Sequence, residues 1–414
     1  MMERPDILIL GDASHRAKRT RFGIKARDRA SHVHVLGKTG VGKSTLLEGM
    51  LRQELTSPGG FCLIDPHGDV ADSILSAGQN FGRPIHALDA AAPSTNLGYN
   101  PLRRVREDRI PLAASGLLDT FRKLWPDAWG VRMEHVLRCS LYTLLERTGS
   151  TLPDILKLYA DKDFRKQVTS RTRNPVVRAF WKNEFERYPE RYRSEVVAPI
   201  QNKLGALLAD PTLYRILVEP EVDLHFRKIM DEGGVLIVNL AKGRLGEDSS
   251  SILGSLLVST IGLAALSRAD MPLEDRRPFY LYVDEFQSFT TLAFANMMSE
   301  LRKYGLGLTL AHQHFHQLEP DVRHAVLGNA GTLISFRVGP EDARILAQEF
   351  QPTFVVEDLL NLPNRRFYLR LMIDGSPSRP FSAVTLDRAE FEGLAGSSAF
   401  QFSPRRTDDL ASFG

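Results

Sequence analysis

The chain has 414 residues, and its 53 Lys and Arg against 50 Asp and Glu give a formal net charge of +3. With 43% hydrophobic and 25% charged residues, the composition excludes collagen, coiled-coil rods and extended disorder, and the length predicts two or three domains. Cys62 and Cys139 are the only cysteines, which excludes a disulfide scaffold and a cysteine metal site and fits a reducing cytosol.

The most apolar stretch, residues 252–266, is diluted by two glycines and several hydroxyl side chains. It is shorter than the roughly 20 residues of a membrane span, so we predict a buried helix there. The first residues show no signal-peptide pattern. We therefore predict a cytoplasmic globular protein with no transmembrane segment of its own.

Two segments are rich in basic residues. Residues 14–29 contain seven Lys and Arg with Asp28 as the only acidic residue, and residues 162–193 contain ten Lys and Arg with four Asp and Glu. Such runs indicate either contact with nucleic acid or, as the more common alternative, a solvated helical face.

Short apolar, β-branched or aromatic runs predict strands, several of which alternate with segments of helical periodicity. This alternation predicts an α/β fold with a mostly parallel sheet that is covered on both faces. The predicted strands are 33–36, 61–64, 85–88, 235–240, 279–283, 306–310, 332–338 and 367–373. The predicted helices between them include 43–55, 250–267, 293–304 and 341–348.

No convincing strand pattern lies between about residues 109 and 228, where leucines recur at helical spacing. We therefore predict an all-α domain at 109–230, inserted between the third and fourth strands. The two parts of the α/β core then cover 1–108 and 231–394. Residues 395–414, rich in Ser, Gly and Arg, are predicted to be a flexible tail.

Residues 37–44 read Gly-Lys-Thr-Gly-Val-Gly-Lys-Ser and fit the phosphate-loop pattern G-x-x-x-x-G-K-[ST], with a strand before and an amphipathic helix after. These flanks disfavour a chance glycine-rich turn. Backbone N–H groups of such a loop surround phosphates, Lys43 reaches the β- and γ-phosphates, and Ser44 binds Mg²⁺. The predicted nucleotide-binding residues are Gly37, Lys38, Thr39, Gly40, Val41, Gly42, Lys43, Ser44 and Thr45.

An apolar strand at 279–283 ends in Asp284 and Glu285. Together with a phosphate loop, this pair predicts ATP hydrolysis, in which Asp284 holds the Mg²⁺ and Glu285 polarises the attacking water. The strand at 306–310 leads to Gln313, which we predict senses the γ-phosphate and the water; the alternative is a solvated strand-end side chain. His312, His314 and His316 are interpreted as surface histidines rather than a metal site.

Several motifs together resemble the HerA–FtsK superfamily of hexameric DNA-pumping ATPases. Besides the phosphate loop they are Arg-Phe-Gly-Ile at 21–24, Leu-Ile-Asp-Pro-His-Gly-Asp at 63–69, Tyr-Asn-Pro-Leu at 99–102 and Val-Asp-Glu-Phe-Gln at 283–287. The chain is most similar to the TraG/TraD-like coupling proteins of conjugative type IV secretion and to HerA-like translocases. The resemblance implies a RecA-like core, with ATP and Mg²⁺ as nucleotide and cofactor.

The resemblance also implies an arginine that acts on the neighbouring subunit's nucleotide and lies just before the strand that carries Gln313. Arg302 is the matching residue, with a solvated helix-end arginine as the alternative and Arg337 as a second candidate. Asp65, His67 and Asp69 follow the second strand and are expected to face the Mg²⁺ or a neighbouring subunit, with helix capping as the alternative for Asp69. Lys242 and Arg244 lie in a basic, glycine-containing loop that is expected to contact the DNA backbone in a pore or to be a mobile surface loop.

Two expectations depart from the family pattern. The membrane-spanning helices with which coupling proteins begin are not expected here, and about 30 residues before the phosphate loop are too few for the β-barrel of HerA proteins. The predicted function is an ATP-driven DNA translocase of conjugative transfer, a homohexameric ring with DNA in its pore. Expected partners are DNA and type IV secretion or relaxosome proteins, which could recruit it to the membrane. The alternative is an ATPase that energises assembly or protein export without acting on DNA.

Overall fold

The computed structural model describes residues 7–15, 18–81 and 84–396. The strands are β1 (Ile7–His15), β2 (Lys18–Lys25), β3 (Val33–Leu36), β4 (Gly60–Asp65), β5 (Ile85–Asp89), β6 (Leu97–Gly98), β7 (Val222–Asp223), β8 (Val235–Asn239), β9 (Phe279–Val283), β10 (Leu306–His312), β11 (Thr332–Ser335), β12 (Arg366–Arg370), β13 (Met372–Ile373), β14 (Ser376–Pro377) and β15 (Phe381–Val384).

The helices alternate with these strands except in the middle of the chain. They are α1 (Ala26–Arg29), α2 (Lys43–Glu54), α3 (Asp69–Gly78), α4 (Ile110–Leu124), α5 (Val131–Leu145), α6 (Leu152–Ala160), α7 (Lys162–Thr169), α8 (Pro175–Ala179), α9 (Glu190–Ala209), α10 (Pro211–Leu217), α11 (Phe226–Glu232), α12 (Lys242–Leu245), α13 (Glu247–Ser267), α14 (Leu292–Leu301), α15 (Pro320–Asn329), α16 (Pro340–Phe350), α17 (Val356–Leu360) and α18 (Arg388–Gly396).

An eleven-stranded sheet forms the centre of the described chain, in the order β2-β1-β15-β12-β11-β3-β10-β9-β4-β8-β5. The strands from β11 to β5 in that order are parallel to their neighbours, and the remaining four pair antiparallel at the β11 side. The central strands β3, β4, β8, β9 and β10 are buried along their whole length. Continuous apolar runs are what a strand covered on both faces requires.

Two apolar clusters cover the two faces of the sheet. One contains the inner sides of α2 and α3, and the other contains α13, α14 and the helices inserted after β6. α13 is long and apolar enough to span a membrane by length and composition, but most of its apolar residues are buried in this second cluster. It occupies the place of the buried helix predicted at 252–266.

The insertion is helical from α4 to α10, as the sequence predicts. Its first helix, α4, packs against α13 and α14 of the core as well as against α5, so that the insertion and the core share one apolar cluster. The two-residue strands β6 and β7 pair with each other before and after the insertion. β7 lies in a region where no strand is predicted, because a two-residue pairing leaves no periodicity in the sequence.

In its described residues, the basic segment at 14–29 is mostly β-strand rather than a solvated helical face. It comprises the end of β1, the whole of β2 and α1; β1 and β2 form a β-hairpin, which joins the sheet through antiparallel pairing of β1 with β15. Arg21 Nε donates to Asp12 Oδ1 at 2.7 Å, Lys25 contacts Asp374, and Arg29 forms a buried ion pair with Glu54. Acidic partners within the fold therefore neutralise much of this basic run; Arg16 lies outside the described residues.

Three further boundaries differ from the sequence predictions. The strand predicted at 332–338 ends at Ser335, and the strand predicted at 367–373 is divided into β12 and the small hairpin β13–β14. α18 extends to Gly396, two residues into the predicted tail, and residues 397–414 lie outside the described residues. The domain limits at 108, 230 and 394 stay predictions.

Candidate functional site

Polar side chains gather at the carboxyl edge of the central parallel strands. β3 leads into the glycine-rich loop, β9 into Asp284 and Glu285, and β10 into Gln313. Because β10 lies between β3 and β9, Gln313 is placed between the loop and the two carboxylates. The carboxyl edge of a parallel sheet is where α/β folds bind ligands.

Glycines shape the loop after β3. Gly40 has φ +76° and Gly42 has φ +120°, conformations that side chains with a Cβ rarely adopt. Neighbouring elements hold the loop: Lys38 N donates to Arg337 O at 2.9 Å, and Arg365 N donates to Val41 O at 2.8 Å. α2 then begins at Lys43, so that its positive N-terminal end faces the loop.

The Lys43 side chain is buried inside this loop. Its Nζ donates to Gly37 O at 2.6 Å and to Lys38 O at 3.0 Å. Burial lowers the pKa of Lys43, while the carboxylates of Asp284 and Glu285 act in the opposite direction. Ser44, in the first turn of α2, is exposed and is followed by the half-buried Thr45. The loop therefore presents an ammonium group and a hydroxyl group at the start of a helix.

Asp284 and Glu285 have opposite electrostatic environments. Burial raises the pKa of Asp284 to about 6, helped by the charges of Glu285 and Asp65. Burial also favours a higher pKa for Glu285, but polar contacts with His67, Gln313 and Gln287 outweigh it and hold this pKa at about 2. Glu285 is therefore ionised across the physiological pH range.

A chain of side-chain hydrogen bonds links the loop to Glu285. Thr39 Oγ1 donates to Gln313 Oε1 at 2.9 Å, and Gln313 Nε2 donates to Glu285 Oε1 at 2.5 Å. Gln287 Nε2 donates to the other carboxylate oxygen, Oε2. Glu285 itself has φ +47°, a strained conformation for a residue other than glycine, and such strain is concentrated at functional sites.

The residues after β4 contribute a second layer. Asp65 is buried and accepts hydrogen bonds from His67 N at 2.9 Å and Ala71 N at 3.0 Å, so it orders the turn into α3. The exposed His67 has its Nε2 3.8 Å from Glu285 Oε1, and contact with Glu285 raises the pKa of His67. Asp69 is exposed in the first turn of α3.

His312 is not a surface histidine, which corrects the prediction made for it. It is fully buried and stacks on His34 with ring centroids 4.8 Å apart. His34 Nε2 and His312 Nδ1 lie 3.0 Å apart, and burial lowers the pKa of both imidazoles, that of His34 to about 3. Since His312 O accepts the Gly37 N–H at 3.3 Å, this neutral pair supports the start of the loop. His314 Nδ1 lies 3.0 Å from Asp342 Oδ2, and His316 is exposed.

Arg302 lies away from this cluster. It is exposed in a 3₁₀ turn between α14 and the amino end of β10, whereas Gln313 follows the carboxyl end of the same strand. The seven residues of β10 span about 23 Å at roughly 3.3 Å per residue. Arg337 lies beside the glycine-rich loop of the same chain. Its guanidinium donates to Leu362 O at 3.3 Å and to Asn364 Oδ1 at 3.0 Å.

The basic segment after β8 is a one-turn helix, α12, rather than a loop. Lys242 is half-buried, and its backbone N–H donates to Pro66 O at 2.8 Å, which places it next to the His67 turn. Arg244 is exposed, with its guanidinium 3.7 Å from Asp89 Oδ2 and 3.3 Å from Ala91 O. Both residues therefore lie at the carboxyl edge of the sheet.

Two contacts of the site escape the sequence analysis. Gln287 holds Glu285, and its spacing of two residues after Glu285 is the signal that would have identified it. Arg365, at φ +66°, binds the glycine-rich loop through its backbone from a position more than 320 residues away in sequence, and no local pattern predicts that contact.

Two family models match parts of the chain. The model described as the central domain of helicase HerA matches residues 14–102, and the model described as the TraM recognition site of TraD and TraG matches residues 278–350. These segments carry the glycine-rich loop and the Asp284–Gln313 region, respectively. The resemblance to the HerA–FtsK superfamily of P-loop ATPases is confirmed. No curated protein matches the sequence.

Solved structures share the fold over most of the chain. The unbound bacterial conjugative coupling protein TrwB matches with a TM-score of 0.64 and 18% identity, covering 91% of this chain and 89% of that one. TrwB in complex with ADP and Mg²⁺ matches with a TM-score of 0.61 and 17% identity, covering 93% and 89%. VirB4 of Thermoanaerobacter pseudethanolicus matches with a TM-score of 0.62 and 15% identity, covering 93% and 97%. The predicted RecA-like fold class with a helical insertion is confirmed.

Proposed function

We propose that the chain is an ATP-hydrolysing motor that works as a homohexameric ring and moves DNA through its pore in conjugative or type IV secretion transfer. The observation that carries the proposal is the hydrogen-bonded series from Thr39 through Gln313 to Glu285. It joins a phosphate loop to an ionised carboxylate, and this is the connection that a nucleotide hydrolase needs.

ATP binding is assigned to the loop at 37–45. Its backbone N–H groups and the start of α2 favour a polyphosphate, and Lys43 exchanges its loop carbonyl partners for phosphate oxygens. TrwB, which shares the fold, has a structure in complex with ADP and Mg²⁺.

Mg²⁺ fits the residues at the end of β9. The pKa of Asp284 is raised by burial and by the nearby carboxylates of Glu285 and Asp65. A bound dication offsets both effects, because it stabilises the ionised carboxylate and compensates the negative charges around it. Ser44 supplies the exposed hydroxyl group, and such oxygen ligands are what Mg²⁺ prefers. When bound, Mg²⁺ neutralises charge on the phosphates.

Hydrolysis is assigned to Glu285 and Gln313. Because Glu285 is ionised, it can accept a proton from a water held beside the terminal phosphate. Gln313 contacts both Thr39 in the loop and Glu285, so its amide can orient that water and register the phosphate at the same time.

Ring assembly is proposed because of the place of Arg302. An exposed arginine about 23 Å from its own site along β10 is out of reach of its own nucleotide and accessible to a neighbouring subunit. A guanidinium supplied in this way stabilises charge on the transferred phosphoryl group.

DNA contact is assigned to the backbone phosphates through Lys242 and Arg244. Both lie on α12, at the same edge as the nucleotide, where a conformational change at the γ-phosphate can reach them. Binding through phosphates is independent of base sequence and weakens as salt increases. We place the motor in the cytoplasm, with recruitment to the inner face of the membrane through its partners.

A second candidate is an ATPase that energises assembly or protein export without acting on DNA. Residues 278–350 match a model described as the TraM recognition site of TraD and TraG, which supports recognition of a partner other than DNA by the second part of the core.

ATPase rate measured against protein concentration, with and without single-stranded or duplex DNA, tests the proposal. Stimulation by DNA and a steep rise in activity per subunit support the translocase. Activity that is indifferent to both forms of DNA supports the second candidate, and no nucleotide turnover contradicts both.

A further inference from the structure

The loop that follows Glu285 is held by a lysine from the inserted helical segment. Lys123, in the last turn of α4, donates from its Nζ to three backbone carbonyls, Gln287 O at 3.0 Å, Ser288 O at 2.9 Å and Thr290 O at 2.8 Å. One ammonium group has three N–H donors, so this contact uses its whole donor capacity.

The same loop carries the contact to the Glu285 carboxylate. Gln287 accepts the Lys123 hydrogen bond at its backbone carbonyl, and its side-chain amide donates to Glu285 Oε2. Its other amide atom, Oε1, is buried and has no hydrogen-bond partner among the described residues, so nothing in that part of the chain anchors the side chain a second time. The backbone of Gln287 therefore sets where its amide holds Glu285.

α4 also contacts α14, the next helix of the core. Asp119, one turn before Lys123, interacts with the backbone of Ala293 in the first turn of α14, and α4 packs against α14. α14 ends at Leu301, directly before Arg302. One helix of the insertion thus holds the loop after Glu285 and the start of the helix that leads to the proposed trans-acting arginine.

We infer that Lys123 is a positioning residue through which the inserted helical segment sets the Glu285 carboxylate, by way of Gln287, for nucleotide hydrolysis. This inference rests on the proposed function. It makes the orientation of α4 a determinant of turnover, so that a partner docked on the helical segment can change the catalytic rate without touching the nucleotide.

The test compares Lys123→Met with Lys157→Met in the full chain. Lys157 lies on α6 of the same segment, is exposed, and has its Nζ over the Phe164 ring at 4.5 Å, so its variant removes the same charge away from the loop. Lys123→Met leaves Gln287 O and Thr290 O without this donor, whereas Ser288 O keeps the Ser251 hydroxyl at 3.0 Å. We expect turnover to fall about tenfold with KM for ATP within about twofold, and Lys157→Met to match the wild type.

Hydrogen–deuterium exchange supplies a readout that does not depend on ATPase activity. The amides of Ser288, Phe289 and Thr290 donate to carbonyls within the loop, and we expect them to exchange faster in Lys123→Met than in Lys157→Met. Unchanged exchange overturns the inference alone, whereas a wild-type chain without turnover overturns the proposed function. Unchanged turnover in Lys123→Met, or an equal loss in both variants, also overturns the inference.

Gln287→Ala tests the connection from the other side. It removes the amide that holds Glu285 but keeps the backbone carbonyl that Lys123 binds, and Gln287 is only half-buried. We expect Gln287→Ala to lose a similar fraction of turnover, with hydrogen–deuterium exchange of the loop unchanged. The double variant with Lys123→Met should lose no more, because Lys123 acts on Glu285 through Gln287. Additive losses of turnover in the double variant would contradict the inference that Lys123 acts on Glu285 through Gln287.

Discussion

The two ends of β10 carry different kinds of residue. At the carboxyl end, Gln313 is tied by hydrogen bonds to Thr39 and Glu285, in a cluster with perturbed pKa values. At the amino end, Arg302 is exposed and lies near the buried His32. The chain therefore places its phosphate loop and its carboxylates together at one edge of the sheet, while the predicted trans-acting arginine lies at the opposite edge. Binding and hydrolysis should therefore respond differently to mutations at the two edges.

Lys43→Ala, at the carboxyl edge, should have the largest effect because it should abolish both nucleotide binding and turnover. It removes the ammonium group that faces the phosphates, so measurable nucleotide binding should be lost together with turnover. Titration with a fluorescent ATP analogue measures this. Lys303→Ala at the amino edge removes an exposed lysine and serves as the matched control. Near-normal affinity in Lys43→Ala would contradict the phosphate-loop assignment.

Arg302→Ala, at the amino edge, should reduce turnover without affecting nucleotide binding at the carboxyl edge. Turnover should fall on the order of 10³-fold or more, the range of arginine fingers, while ATP affinity stays nearly intact. Lys303→Ala again serves as the control, because it removes the adjacent exposed charge. Full activity in Arg302→Ala, or activity per subunit that does not change with concentration, would remove the main support for the ring.

Mixed rings sharpen this test. Arg302→Ala and Glu285→Gln subunits should each be inactive alone, but an interface that joins a normal Glu285 to a neighbour's normal Arg302 should regain hydrolysis. Several mixing ratios should be measured, since strict coordination around a ring masks rescue at some of them. Absence of rescue at every ratio, with mixed assembly demonstrated, would count against action in trans.

Much of the carboxyl edge is predictable from the sequence. Asp284 and Glu285 follow β9, a buried strand that appears as an uninterrupted apolar run, and Gln313 follows β10, which is buried and mostly apolar. The phosphate loop has a fixed spacing that depends on local backbone geometry alone. Local patterns therefore account for the parallel strands, for the helical insertion and for Asp284, Glu285 and Gln313.

The remaining features depend on contacts between distant parts of the chain. β1 joins the sheet through β15, about 370 residues away, and its basic hairpin partner hides the strand signal. His312 is buried by His34, 278 residues away, and Lys123 reaches Gln287 across 164 residues. No periodicity in a short window reports such pairs, and this is why the predicted surface position of His312 is wrong.

Gln313→Ala, at the carboxyl edge, should reduce turnover but leave nucleotide binding nearly unchanged. It removes the link between Thr39 and Glu285, and turnover should fall roughly 100-fold, as for other positioned donors in catalysis. Nucleotide affinity should change little, because Lys43 and the loop backbone remain. Gln317→Ala, an exposed glutamine shortly after it, is the control. A loss of affinity as large as the loss of turnover would make Gln313 a binding residue instead.

The smallest predicted effect is a decline of turnover as the pH rises through about 8. Burial lowers the pKa of Lys123 to about 8, against the charge of Glu319, so the ammonium group becomes an amine in this range. An amine has two N–H donors for the three carbonyls that Lys123 binds, and one of them loses its partner. Turnover of the wild type and of Lys157→Met should fall about threefold, the effect of one weak hydrogen bond. Lys123→Met should lack this step. Because the pKa of Lys43 is also lowered by burial, any decline that Lys123→Met retains belongs to Lys43 or another group, and a full decline in that variant would contradict the assignment to Lys123.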